Sequence, residues 1–183
     1  MACAAPPSSA ATDEKSAPAR TGSAAPARGT GREWAQLAAS GAAVRIVRCD
    51  TTEAADVRRL LGGTCGAPLV EGVWHAAGVL ADGLLARQSA ATLARGYGPK
   101  AHAAWTVQRG CAALPLRACA LFSSVAALLG GAGQANYAAA NSCLDALAAM
   151  RRAAGAAGVS VQWGPWAEGG LAAGEGVNAR RQA

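Results

Sequence analysis

Tyr137, Asn141 and Ser124 have the types and spacing to work on one substrate atom. Tyr137 and Asn141 are four positions apart near the start of a segment, 134–154, whose pattern predicts a long helix ending near Gly155, so they share a helix face. Ser124 stands thirteen residues before Tyr137, at the end of a short apolar run, 118–123, that predicts a strand. The run Gly130-Gly131-Ala132-Gly133-Gln134 between them is flexible enough to fold the helix start back over the strand end. An alcohol on a strand end and a phenol on the next helix can then meet over a single atom, the groundwork of hydrogen-bonding and proton-transfer chemistry. Taken singly, each residue has an ordinary reading: a packed aromatic, a strand-end hydroxyl, a helix-surface amide. It takes the spacing, the strand–helix setting and the flanking sequence together to favour the chemical one.

The elements that must position these residues alternate along the chain. Glu33 to Ser40 predicts a short helix stopped by Gly41. Val44 to Cys49 alternates apolar and polar and predicts a strand. Thr52 precedes a helical stretch, Glu53 to Leu61, closed by Gly62-Gly63. Val70 to Ala76 predicts a buried strand, Ser89 caps an interrupted helix over about 90–112, and Val159 to Trp163 is the last strand, followed by the loop Gly164 to Gly170. Strands and helices of these lengths in alternation predict an α/β fold, a parallel sheet covered by helices. In such sheets ligands bind beyond the carboxyl ends of the strands. Three strand ends carry unusual residues, His75-Ala76-Ala77-Gly78, Ser123-Ser124 and Trp163-Gly164-Pro165-Trp166, and these should converge on one edge.

Composition narrows the remaining classes. Residues 1–28 are rich in Ala, Pro and Ser without a hydrophobic period, and are expected to be a disordered tail. The α/β unit is expected over 29–174, with a second tail over 175–183. An Ala/Ser-rich start suggests a plastid or other transit peptide, but Asp13 and Glu14 oppose it, and a cytoplasmic protein is the simpler expectation. The net charge of +6 comes from arginines scattered singly or in pairs, with no basic stripe interleaved with aromatics, so nucleic-acid binding is not expected. No apolar run is long enough to span a bilayer, and no membrane partner is expected. Cys3, Cys49, Cys65, Cys111, Cys119 and Cys143 form no Cys-x-x-Cys pair, and His75 and His102 are not at ligand spacing, so no metal site is expected.

The segments HAAGVLADGLL (75–85), GPK (98–100), LFSSVAALLGGAGQANYAAANSCLDALAAMRR (121–152) and VQWGPWAEGGLAAG (161–174) together resemble the ketoreductase domains of polyketide synthases, members of the short-chain dehydrogenase/reductase superfamily. The resemblance covers roughly residues 41–174. Its specific part is Ser124, Tyr137 thirteen residues on, Asn141 four further, and Lys100 twenty-four residues before the serine. Most of the superfamily has lysine where this chain has Asn141. The exchanged Lys and Asn positions are those of the synthase ketoreductases.

The resemblance implies a Rossmann-like parallel sheet with helices on both faces and the NADPH-dependent reduction of a β-ketoacyl thioester, held on an acyl carrier protein, in polyketide or fatty acid biosynthesis. Other synthase domains are further implied partners. Tyr137 would protonate the ketone oxygen, Ser124 would hydrogen-bond it, Lys100 would sit near Tyr137 and the cofactor ribose, and Asn141 would support the proton relay. The chemistry is coherent, because a free tyrosine titrates near 10, and a neighbouring ammonium favours the phenolate. Lys100 is also one of only two lysines, the other being Lys15 in the tail.

Further positions follow from the same resemblance. Asp50 either contacts the adenine or closes a turn after its strand. His75, Ala76, Ala77 and Gly78 would lie along the cofactor. Gly164, Pro165 and Trp166 would border nicotinamide and substrate, while Trp163 is expected in the core. Leu80-Ala81-Asp82 resembles a fingerprint for a D-configured alcohol in its last residue, and position 129 is Leu, not the Trp of the opposite class. The family's Thr-Gly-Gly-x-Gly-Gly-Leu-Gly turn is not in this sequence. That turn lets backbone approach a diphosphate at a helix N-terminus. The sheet is therefore expected to lack its first βαβ unit, and the alternative function is a catalytically inactive fragment or interaction remnant of a megasynthase. Gly96 and Gly98 are expected to loosen the placement of Lys100.

Overall fold

The computed structural model describes residues 35–37, 39–41, 47–62 and 70–165. It divides into two units, Pro7–Cys49 and a second that contains everything from Asp50 onward. In the first, 35–37 and 39 are helical, and Gly41 ends the turn with φ of 75°. Residues 42–46 of the expected strand Val44–Cys49 lie outside the described residues, and 47–49 carry no strand. Gly63, Trp166 and both expected tails also lie outside them.

The second unit is a parallel sheet with helices. In chain order it contains α1 (Ala54–Gly62), β1 (Gly72–His75), α2 (Ala90–Tyr97), a wide π turn (Gly98–His102), α3 (Ala103–Gly110), β2 (Ala118–Ser124), α4 (Ala126–Leu129), α5 (Ala135–Ala153) and β3 (Val159–Trp163). The strand order is β1-β2-β3 and both pairings are parallel, with His75 opposite Leu121 and Ser124 opposite Trp163. Each connection between parallel strands carries a helix, as parallel pairing requires.

Burial alternates along β2, so Cys119, Leu121 and Ser123 face inward. Cys119 and Leu121 form the core with Ala104 of α3 and Leu144, Leu147 and Ala148 of α5. On β3, Ser160 and Gln162 both donate to the Asp145 carboxylate of α5, the latter at 2.8 Å, which ties the helix to the sheet. A small cavity on this face is lined by His75, Cys111, Cys119 and Arg151 among others. Arg151 donates from Nε to Ala157 O at 2.6 Å and from Nη1 to Gln108 Oε1. At the end of α3, a Cβ on Gly110 would lie 2.7 Å from Val57 Cγ1, so this glycine lets α1 pack closely.

On the sheet face opposite Cys119 and Leu121, Phe122 stacks on Trp163 with ring centroids 5.9 Å apart. Trp163 is 41% exposed and Trp74 45%, so the expectation that Trp163 packs in the core is corrected. Its register opposite Ser124 places it on that face.

Candidate active site

The π turn delivers Lys100 inward. α2 starts at a capping box, in which Ser89 Oγ accepts from Thr92 N and Thr92 Oγ1 accepts from Ser89 N. It runs into Gly98–His102, where the Ala103 N–H reaches back to Gly98 O. Such wide turns rotate the residues they contain relative to a regular helix. Lys100 is only 4% exposed. Its Nζ donates to Phe122 O at 2.9 Å and lies 5.5 Å from the centre of the Tyr137 ring. The glycines at 96 and 98 therefore do not leave Lys100 loose. Burial pulls its pKa down to about 8, with the Asp145 carboxylate opposing the shift.

Two further groups frame the lysine. The His75 ring at the end of β1 bonds through Nε2 with Lys100 O at 3.0 Å, and burial holds its pKa below the usual histidine value. A Cβ on Gly78 would lie 2.9 Å from Lys100 Cε. The sequence assigns Gly78 to a cofactor approach, and the structure adds that it makes room for the lysine chain.

Tyr137 and Asn141 lie on one turn-to-turn line of α5. Asn141 is fully buried, its Nδ2 donates to Tyr137 O at 2.8 Å, and its Oδ1 has no hydrogen-bond partner among the described residues. Its backbone O accepts from Ser123 Oγ at 3.3 Å. Ser124 closes β2, and its Oγ accepts from Ala126 N at 3.2 Å. No hydrogen bond joins Ser124 to Tyr137 among the described residues. The structure thus brings Lys100 and Tyr137 together, sets Ser124 two residues beyond the carbonyl that anchors Lys100, and buries Asn141 behind them.

The outlying positions divide. Ala76 is exposed, Ala77 is buried, and Gly164 and Pro165 are exposed beyond β3. Trp166 lies outside the described residues. Asp50 Oδ1 accepts from Thr52 N at 2.9 Å and Thr52 Oγ1 at 2.6 Å, so it closes the turn that leads into α1. Sequence reasoning missed Asn136, buried beside Tyr137, whose Nδ2 donates to Ala81 O at 2.7 Å. It also missed Gln134, which donates to Asp82 Oδ2 at 3.1 Å. Nearness to Tyr137, one position away for Asn136 and three for Gln134, was the one signal for either.

The KR domain family model matches residues 16–168. The chain belongs to that family. Polyketide synthase GfsB of Streptomyces halstedii is 47% identical over 137 residues, 75% of this chain and 2% of that protein. A phenolphthiocerol synthesis polyketide synthase of Mycobacterium marinum is 43% identical over 149 residues, 80% of this chain and 7% of that protein. The ketoreductase domain thus spans a small part of the length of the curated relatives it matches. Among solved structures, the ketoreductase from the first module of phoslactomycin biosynthesis in Streptomyces sp. HK803 superposes with a TM-score of 0.76 at 38% identity, over 85% of this chain and 36% of that one. A ketoreductase domain from the bacillaene assembly line gives 0.75 at 31% identity, over 87% and 40%. The fold is the Rossmann-like one of the short-chain dehydrogenase/reductase superfamily. These bacterial relatives give the plastid reading no support. No helix among the described residues is long and apolar enough to cross a membrane.

Proposed function

We propose that this ketoreductase domain reduces the β-keto group of an acyl thioester, presented by an acyl carrier protein within a polyketide synthase, to the β-hydroxy thioester. The observation that carries the reading is the buried Lys100 ammonium at the face of the Tyr137 ring, beside the end of β2 where Ser124 sits. Tyr137 gives its phenolic proton to the keto oxygen, and Ser124 turns its hydroxyl from Ala126 to hydrogen-bond the same oxygen. Lys100 stabilises the negative charge left on Tyr137, an attraction strengthened by burial. Asn141, whose buried Oδ1 meets no donor among the described residues, passes the replacement proton inward from solvent through water.

A nicotinamide nucleotide, NADPH by family, would supply the hydride. The residues present fit its nicotinamide–ribose end: small Ala76 and Gly78 beyond β1, Gly164 and Pro165 beyond β3, and Lys100 bonded to Phe122 O of the middle strand. The diphosphate end has no glycine-rich turn in this sequence, and the Asp50 carboxylate is already engaged by Thr52. The neighbouring synthase domains are further proposed partners. Asp82 and the absence of Trp at position 129 support a D-configured alcohol.

The test is NADPH consumption with a β-ketoacyl thioester, followed by absorbance, with chiral chromatography of the product. Turnover is expected, with Tyr137→Phe slower by about 100-fold or more, the usual contribution of a positioned acid. A parent protein that binds NADPH without saturation and turns over no thioester would overturn the proposal and leave the inactive remnant.

A further inference from the structure

We propose that Asn136 is a positioning residue that fastens the first turn of α5 to loop 81–83 and so fixes where Tyr137 stands against Lys100. The catalytic meaning of this rests on the reductase reading above. The geometry does not. α5 starts without a side-chain cap, since Gln134 at its N-cap makes no capping bond. An uncapped first turn leaves backbone donors unsatisfied and frays. What holds this one is a set of cross-links to a loop fifty or more residues earlier in the chain. Asn136 Nδ2 donates to Ala81 O at 2.7 Å, Gly83 N donates to Gly133 O at 2.8 Å, and Gln134 Nε2 donates to Asp82 Oδ2 at 3.1 Å.

The joint is close as well as bonded. Gly133 has φ of 72°, and a Cβ there would lie 3.5 Å from the Gly83 backbone. The loop is braced from its other side by Gln88, whose Nε2 donates to Gly83 O at 3.0 Å and Ala81 O at 3.3 Å. Ala81 O is thus shared by two side-chain amides.

Of the cross-linking residues, Asn136 is the best shielded, at 3% exposure, and a hydrogen bond screened from water is the stronger for it. Tyr137 is its immediate neighbour, and the phenol itself makes no hydrogen bond among the described residues. The ring's place beside Lys100 is therefore set by the backbone that Asn136 anchors. Removing the anchor frees that turn and moves the ring off the ammonium without touching either group.

The two lysines make this directly measurable. Protein carrying carbon-labelled lysine gives two ε-methylene signals, and Lys15→Arg assigns them. In the parent, the Tyr137 ring is expected to shift the Lys100 ε-methylene protons upfield, and Tyr137→Leu calibrates that shift. Asn136→Ala should lose most of it. Asn136→Asp, which keeps the size and removes the donor, should do the same and serves if the alanine variant fails to fold. Leu144→Ala, which weakens packing further along the same helix, should lower the melting temperature and leave the shift in place, a result a merely structural role for Asn136 does not predict. A folded Asn136 variant with the parental shift overturns the proposal. The readout needs no turnover, so a shift lost on substitution in a protein that reduces nothing upholds the positioning role while refuting the reductase reading. In an active protein the Asn136 variants should lower kcat more than they change KM.

Discussion

The proposed chemistry and a cost to folding meet in one side chain, Lys100. A drop from 10.5 to about 8 means burial opposes its charge by about 3 kcal/mol, at about 1.4 kcal/mol per pH unit. Lys100→Met should therefore remove a buried charge, raise the melting temperature and abolish reduction together. Function and stability move in opposite directions at such sites. The same shift sets a pH window. Unfolded chains bind this proton more tightly, so folding stability should rise as pH climbs from about 8 toward 10.5, while ketone reduction at saturating substrate declines as the ammonium is lost above about 8. His75 works at the other end. Its folded pKa lies below 6.5, so stability should fall as acidification passes that value, and thermal melts between pH 5 and 7 check it. Tyr137, Ser124 and Lys100 were candidates in the sequence because their spacing resembles that of an enzyme family. Asn136 was not, because a buried amide that bonds a distant carbonyl has no local signature.

At the level of elements, the strand and helix limits were read closely where periodicity was strong. Strand 159–163 was read to its end residues, and α5 to within a residue at each end. The interrupted helix over 90–112 was legible as an interruption, but its form as a π turn was not, since one wide turn inside a helix leaves no mark in the apolar spacing. Two substitutions on α5 follow. Leu144, fully buried, anchors the helix to β2, and Leu144→Ala should cost about 2–5 kcal/mol by denaturant titration. Gly155, just past the helix end, has φ of 73° with open space around it. Gly155→Ala should cost about 1–2 kcal/mol from backbone strain alone. Gly78→Ala tests the site from the strand side: a Cβ there presses on Lys100 Cε, and reduction should fall more than stability does.

Across the whole molecule, the parallel sheet was legible from alternation and the family from its motifs. The exposure of Trp163 was not, because an aromatic closing an apolar strand reads as a core residue in a linear pattern. Register, not composition, assigns it to the exposed side. The binding prediction belongs here. NADPH fluorescence titration should give saturable binding that Lys100→Met weakens, whereas the nucleotide's diphosphate adds less than it does where a glycine-rich turn meets it.

The free cysteines make the fold a clock for its own opening. Cys143 lies exposed on α5, whereas Cys111 and Cys119 are buried around the small cavity, where desolvation raises both thiols above their ordinary pKa. An alkylating reagent should therefore reach Cys143 without any opening of the fold. It should modify Cys111 and Cys119 only as often as α3 and α5 part from the sheet, so their lag in a mass spectrum measures the free energy of that parting residue by residue.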